Sequence, residues 1–154
     1  MELLTHDEAM EILEREPVAH LGVIVDGAPY VTPMSYVSDG GRVLFRTMSG
    51  EKLDGIRSSP SVCIEVSRFD EETGDWVSVI VKGVARLVDD PDTRQATIAL
   101  LFEKYEHVMG SPLSAGGGLL PLGGQPYVIE VPIERISGMC SGRGMHARTK
   151  PGRL

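Results

Sequence analysis

The chain has 154 residues, which is enough for one domain and too few for two of ordinary size. With 42% hydrophobic and 24% charged residues, its composition is that of a globular protein. The net charge of −7 argues against a general nucleic-acid binder, and no apolar run is long enough for a membrane-spanning helix. Two cysteines make no disulfide framework and the first residues lack a basic secretory start, so the cytoplasm is the expected compartment.

The charge is distributed unevenly along the chain. Residues 138–154 hold four cations and no acidic residue, whereas residues 1–137 carry a net charge of −11. The sequence therefore predicts one domain over residues 1–137 and a basic C-terminal tail over 138–154. The tail either folds across a partner chain or is a solvated end.

Alternating hydrophobicity and turn residues predict six strands in sequential hairpins. The strands are expected at residues 18–25, 28–37, 42–47, 61–68, 76–88 and 126–136. Helical spacing predicts helices over residues 7–14 and 50–58 and a third that begins at Pro91. The glycine-rich segment 110–124 is expected to be a loop. This order is typical of an antiparallel barrel or sandwich with peripheral helices, not of a doubly wound parallel sheet.

Three short sequence patterns predict where helices begin and where strands turn. Thr5 and Glu8 have the spacing of a helix capping box. Asp26-Gly27 fits a two-residue hairpin turn, whose central residues need positive φ. Ser49 is the expected N-cap of the second helix.

The junction between the third strand and the second helix is the most informative stretch. Arg46 and Thr47 end the strand, and Lys52 lies in the first turn of the helix. Cations, hydroxyls and the free N–H groups of a helix N-terminus are the components of a phosphate site. A capped surface helix with solvated charges is the alternative, and Glu51 favours it because a carboxylate repels a phosphate.

Proline interrupts the second predicted strand. Pro29 and Pro33 each remove a ladder donor, which places the strand at an edge, a bulge or a ligand-facing gap. A gap at Pro33 can accept the polar edge of a flat heterocycle. The alternative is an edge strand whose proline deters aggregation.

Other candidate residues are less specific. Trp76 and Ser78 share one face of a strand, where the tryptophan is either a core or interface anchor or a platform for a ligand. The four histidines show no metal-ligand spacing, so no metal site is predicted, and His20 is interpreted as a structural strand residue.

The ordered set of motifs resembles the pyridoxamine 5′-phosphate oxidase-like family. In chain order the motifs are Ala19-His20-Leu21-Gly22, Val31-Thr32-Pro33-Met34-Ser35-Tyr36, Phe45-Arg46-Thr47 through Lys52-Leu53, and the strand that begins Trp76-Val77-Ser78-Val79. Within the family, the chain is similar to the short flavin-nucleotide-binding branch that includes nitroimidazole-resistance-type proteins. The likeness covers residues 3 to 137.

The resemblance implies a mainly β (α+β) fold, a six-stranded antiparallel split β-barrel with short peripheral helices. It implies a homodimer with FMN at two sites across the interface; some members of the wider superfamily bind a deazaflavin instead. By position, Arg46, Thr47 and Lys52 are expected to hold the phosphate. The residues expected to line or approach the isoalloxazine ring are Pro33, Met34, Ser35, Tyr36, Trp76 and Ser78. Glu51 stands where relatives often have a small hydroxyl residue.

The function that the resemblance implies is a flavin-dependent oxidoreductase that moves hydride or electrons between a reduced donor and a small organic acceptor. The flavin carries the redox chemistry, so no catalytic triad or carboxylate pair is required. The sequence assigns no catalytic residue: a proton for the substrate comes from water, from Tyr36 or from a histidine. The alternative is a non-catalytic protein of the same fold that binds flavin, deazaflavin or another small molecule.

Overall fold

The computed structural model of the chain describes residues 1–109 and 126–142, whose strands and helices alternate along the chain. The strands are β1 (Glu2–Leu3), β2 (Ala19–Val25), β3 (Ala28–Met34), β4 (Val37–Asp39), β5 (Arg42–Thr47), β6 (Ser61–Phe69), β7 (Trp76–Val84), β8 (Arg86–Leu87), β9 (Tyr127–Pro132) and β10 (Arg135–Cys140). The helices are α1 (His6–Arg15), α2 (Glu51–Ser58) and α3 (Pro91–Met109).

The strands form two antiparallel sheets. The larger sheet has the order β1-β10-β7-β6-β2-β3, and the smaller one has the order β4-β5-β9-β8. The chain passes from one sheet to the other after β3, β5, β7 and β9. Each sheet is therefore assembled from separated parts of the chain, and residues distant in sequence become neighbours in register.

The main core lies between the two sheets and is built mostly from the buried residues of β2, β5, β6, β7 and β9. Its fully buried strand residues include Leu21, Ile64, Val66, Val79, Val81, Val43, Phe45 and Ile129. Helices α1 and α2 add Leu13 and Leu53 to the same cluster. Burial of each large side chain contributes about 1.5–3 kcal/mol. A one-residue slip in the register of a strand would expose all its core-facing side chains, so burial of the core determines which residues pair across the sheet.

Helix α3 packs outside this core, against the smaller sheet. Leu101 and Tyr105 form a second buried cluster with Val37 and Leu44. The Asp90 carboxylate accepts hydrogen bonds from the backbone N–H and the hydroxyl of Thr93, at 2.8 and 2.6 Å, and so caps the helix start. Among the helices that the structure describes, none combines the length and hydrophobicity that crossing a bilayer requires.

Several local predictions are confirmed. Thr5 and Glu8 form both hydrogen bonds of the capping box. Asp26 and Gly27 have φ values of 50° and 77°, as the two-residue turn requires. The antiparallel architecture with three peripheral helices is also as predicted.

Three predicted strands are wrong in extent, because the chain changes sheets within them. The strand expected over 28–37 ends at Met34, and Val37 begins β4 in the other sheet. The one expected over 76–88 breaks at Ala85, and the one expected over 126–136 separates into β9 and β10. Alternation of hydrophobic residues continues through such a crossing, so it does not mark where the hydrogen-bonding partner changes.

The predicted N-cap of α2 is also wrong. Gly50, not Ser49, occupies that position, with φ 153° and no side-chain hydrogen bond to the helix. Strand β10 continues to Cys140, beyond the predicted domain end at residue 137. The predicted loop 110–124 and the basic residues of the tail from Arg143 onwards lie outside the described residues.

Close approach of the two sheets requires glycine at position 83. A Cβ atom there would lie 2.3 Å from the Pro132 carbonyl oxygen and 2.8 Å from a Val131 methyl group. We expect Gly83→Ala to destabilise the fold by about 1–3 kcal/mol, because the sheets must move apart. Chemical denaturation measures the change. Gly142→Ala is the control, since its Cβ would meet only Asp75 Oδ1 at 3.6 Å, and an equal loss in both variants would contradict the explanation.

Candidate functional site

The junction between β5 and α2 brings Arg46, Thr47 and Lys52 to one end of the smaller sheet. Gly50 adopts a φ that L side chains rarely adopt, and it turns the chain directly into the helix. Because the Gly50 N-cap has no side chain, no side-chain acceptor caps the N–H groups in the first turn of α2. These groups carry the positive end of the helix dipole.

Arg46 and Lys52 are partly buried cations without a carboxylate partner. Desolvation lowers the pKa of Arg46 and that of Lys52. Within the described residues, no Asp or Glu oxygen lies within 4.0 Å of either side chain. Arg42 on the same strand contrasts with them, because it lies 2.8 Å from Glu130. A desolvated cation without a partner is costly, so this end of β5 fits an anionic ligand.

Two further side chains of the junction, those of Thr47 and Glu51, differ in exposure. Thr47 is buried, and its hydroxyl donates to the Met48 carbonyl at 3.1 Å. Glu51 is exposed at the first position of α2. The phosphate role predicted for Thr47 therefore requires its hydroxyl to exchange this local acceptor for the ligand.

Strand β3 is an edge strand, which confirms one of the alternatives predicted from its prolines. It is the last strand of the larger sheet and pairs with β2 alone among the described residues. Pro33 is exposed opposite His20, Met34 is buried, and Ser35 is exposed just beyond the strand. Among the described residues, the outer edge of β3 is therefore not paired with another strand.

Tyr36 is placed in the core. Its side chain has no exposed surface, and its hydroxyl donates to the Leu13 carbonyl at 2.5 Å. The Tyr36 backbone N–H donates to the Tyr105 hydroxyl at 2.9 Å. Burial raises the pKa of Tyr36, with further contributions from Tyr105 and Glu16. Of the three proton sources that the sequence leaves open, Tyr36 therefore has its hydroxyl buried and donating to the Leu13 carbonyl, and the side chain that was also predicted to line the ring lies in the core.

Trp76 and Ser78 lie on the outer face of the larger sheet, in the first half of β7. Trp76 begins β7, whose other end, Val84, pairs with Ser61 just after α2. The ends of β7 are about 26 Å apart, at roughly 3.3 Å per residue. The register therefore places Trp76 and Ser78 away from the end of β7 at which α2 leads into β6.

His20 and Glu65 are polar residues of the same outer face that sequence reasoning did not select. His20 Nδ1 lies 3.2 Å from Glu65 Oε2, and the Ser78 hydroxyl donates to Glu65 Oε1 at 2.8 Å. The alternation of each strand predicts an outward side chain at all three positions, but only the pairing of β2 with β6 and of β6 with β7 makes them neighbours. In the described part of the chain, no three His, Cys, Asp or Glu side chains are grouped as metal ligands.

Lys104 on α3 is a buried cation of a different kind. Its ammonium lies 3.7 Å from the centre of the Tyr36 ring and has no hydrogen-bond partner among the described residues. Burial lowers the pKa of Lys104 to about 8, although Glu16 and Glu14 act in the opposite direction. The charge therefore opposes the packing of α3 at neutral pH.

This lysine predicts a pH dependence of stability. Unfolded lysine titrates near pH 10.4, so between about pH 8 and 10 the unfolded chain binds more protons and stability rises with pH. Above about pH 10 the effect reverses, because Tyr36 and Tyr105 have raised pKa values and ionise first in the unfolded chain. We expect a rise of about 1–2 kcal/mol after allowance for solvent screening. Urea denaturation across this pH range measures it; the same rise in Lys104→Met would contradict the assignment.

Comparison with known proteins places this geometry in a family. A sequence profile described as pyridoxamine 5′-phosphate oxidase matches residues 5–138. The chain belongs to this family. An uncharacterised protein of Rhizobium meliloti is 30% identical over 81 residues, which is 53% of this chain and 53% of that relative, so the match spans about half its length.

Two solved structures share the fold. A FAD-binding protein from Mesorhizobium loti superposes with a TM-score of 0.72 at 23% identity, covering 92% of this chain and 98% of that one. A protein described as a 5-nitroimidazole antibiotic resistance protein, from Bacteroides thetaiotaomicron, gives a TM-score of 0.70 at 15% identity over 90% and 87% of the two chains. These similarities confirm the predicted split-barrel family fold.

Proposed function

We propose that the protein is a flavin-binding oxidoreductase that holds FMN, with its phosphate at the β5–α2 junction. The observation that carries this proposal is the pair Arg46 and Lys52, two partly buried cations without a carboxylate partner in the described structure. They lie beside a helix N-terminus that no side chain caps. The similarity to the FAD-binding protein of Mesorhizobium loti supports a flavin nucleotide as the ligand class.

Each part of the proposed site has a physical role. The cations and the first-turn N–H groups of α2 bind the phosphate dianion through charge-assisted hydrogen bonds. The free edge of β3 near Pro33 offers backbone groups to the polar edge of the ring. When bound, the flavin supplies the hydride-transfer chemistry, and the protein contributes binding and orientation. The small organic acceptor is expected to approach the open face of the ring.

A homodimer is part of the proposal, since one chain separates the two groups of predicted ligands. The outer face of the larger sheet exposes several large hydrophobic side chains, which is typical of an interface. They are Leu3, Val31, Phe69, Ile80, Val84 and Met139. Pairing through this outer apolar face would allow Trp76 and Ser78 of a second copy to complete the site.

Mass spectrometry of the small molecule that co-purifies with the protein tests the proposal. We expect FMN, with absorbance near about 450 nm. FAD or a deazaflavin would change the identity of the ligand, and no bound or reconstituted flavin would overturn the proposal. Bleaching by a reduced nicotinamide without air, followed by recovery with a quinone or nitro compound, supports an oxidoreductase. Bound flavin that neither bleaches nor recovers indicates a non-catalytic carrier.

A further inference from the structure

Three polar side chains form a continuous row across β2, β6 and β7 on the outer face of the larger sheet. His20 contacts one carboxylate oxygen of Glu65 at 3.2 Å, and the Ser78 hydroxyl donates to the other at 2.8 Å. His20 is 47% exposed and Glu65 is 33% exposed in the single chain, on the face through which the proposed dimer pairs, so the row faces the interface that would hold the ligand. We call these three residues the polar row.

The contacts determine how the histidine is presented. A carboxylate accepts hydrogen bonds, so the nitrogen that faces Glu65, Nδ1, must carry a proton. The other ring nitrogen, Nε2, then accepts a hydrogen bond when the ring is neutral and donates one when it is protonated. Ser78 occupies the second carboxylate oxygen and holds Glu65 in place. This carboxylate–imidazole arrangement is suited to carrying a proton.

The position of the row connects it with the proposed ligand site. His20 pairs in register with Pro33 on one side and with Glu65 on the other. Pro33 is predicted to lie near the flavin ring held by its own chain, and Ser78 near the ring held by a second copy, so the polar row lies on the face that the two copies would share. A cross-strand network that only stabilises the sheet would explain all three contacts, and the position of His20 opposite Pro33 favours a role at the ligand.

We propose that His20 is the acid–base group that supplies a proton to the acceptor substrate, and that Glu65 and Ser78 position it. This inference rests on the proposed function. When a quinone is reduced, the quinone gains a hydride, that is two electrons and one proton, from flavin previously reduced by a nicotinamide. The second proton comes from Nε2 of protonated His20, so the quinone becomes a hydroquinone, the flavin is oxidised and the imidazole becomes neutral. Solvent then returns a proton to His20.

Few other titratable groups face this histidine. Cys63 on β6 and Lys82 on β7 lie on the same face, at the register positions beyond Gly22. Strand β3 brings no charged side chain. Helix α2 packs on β2 with Leu53 and Ile56 in the core, on the opposite face from His20. Glu65 is therefore the titratable group that contacts the ring.

The test uses FMN-loaded protein reduced by light without air and mixed with a soluble benzoquinone. Return of the flavin absorbance gives the rate of the proton-coupled step at each pH. We expect His20→Gln to slow this step by about 100-fold or more and to remove its pH dependence. The FMN dissociation constant should stay within about threefold of the wild type. His6→Gln is the matched control, because His6 is exposed at the start of α1.

The positioning roles have a readout that does not require flavin. Imidazole ¹⁵N chemical shifts of the protein without ligand should show His20 with its neutral-form proton on Nδ1, and a mixture of tautomers in Glu65→Gln. A proton found on Nε2 in the wild type would overturn the positioning by Glu65, whatever the ligand. Unchanged quinone kinetics in His20→Gln with FMN bound would overturn the proton role alone. Failure of the wild type to bind any flavin would instead overturn the proposed function.

Discussion

Replacing Arg46 and Lys52 by alanine is expected to weaken FMN binding more than any other pair of substitutions at the β5–α2 junction. Each side chain should contribute about 1.5–3 kcal/mol through a charge-assisted hydrogen bond to the phosphate. That corresponds to a loss of roughly 10-fold to 150-fold for each single variant. Quenching of flavin fluorescence during titration measures the dissociation constants. Riboflavin, which lacks the phosphate, should bind the wild type and both variants alike.

Arg57→Ala is the matched control for the loss of a cation. Arg57 lies in the last turn of α2, is exposed and is 5.3 Å from the centre of the Tyr127 ring. Its removal should leave FMN affinity within about twofold. Arg57 is exposed and lies about 9 Å along the helix axis from the first residue of α2, where salt screens much of its charge. Wild-type affinity in both Arg46→Ala and Lys52→Ala would reject the phosphate assignment.

Substitution of Glu51 tests whether its negative charge weakens phosphate binding at the start of α2. The side chain is exposed at the first position of α2, beside the proposed phosphate. If its carboxylate faces the ligand, Glu51→Ser removes repulsion and adds a hydroxyl donor, and FMN should bind about 3-fold to 10-fold more tightly. A weaker complex would show that Glu51 supports the helix instead of opposing the ligand.

Local chemistry explains which parts of the fold could be predicted from the sequence. The Thr5–Glu8 capping box and the Asp26-Gly27 turn depend on neighbours in the chain, so their residue types are sufficient. Pro33 predicts an edge because a missing N–H excludes a central strand. The end of β5 and the start of α2 are adjacent in sequence, so the spacing of Arg46 and Lys52 already suggests an anion site.

Features that depend on distant partners could not be predicted in the same way. Tyr36 lies between β3 and β4, and only the packing of α1 and α3 buries its hydroxyl against Leu13. The contact between His20 and Glu65 spans 45 positions of the chain and requires β2 to pair with β6. The sheet crossing at Ala85 depends on β8 pairing with β9, and no residue type near it signals this exchange.

Disruption of the outer apolar face is expected to abolish flavin binding without touching the phosphate site. Phe69 and Val84 are exposed on this face, by 63% and 42%, at the two ends of the β6–β7 pair. Aspartate at both positions would have to be desolvated in a dimer, at a cost of several kcal/mol, whereas a monomer leaves both carboxylates in water. We expect the wild type to sediment at twice the chain mass of 16.7 kDa and Phe69→Asp/Val84→Asp to sediment as a monomer.

The FMN affinity of the monomeric variant distinguishes a site shared between two chains from a site within one chain. A monomer retains Arg46 and Lys52 but lacks the partner face with Trp76 and Ser78, so FMN should bind about 100-fold more weakly or not at all. Val18→Asp is the matched control, because Val18 is exposed by 46% just before β2 and is not one of the six residues of the outer apolar face. Circular dichroism should show intact β structure in every variant. A folded monomeric variant that binds FMN with wild-type affinity would contradict the shared site and confine the ligand to one chain.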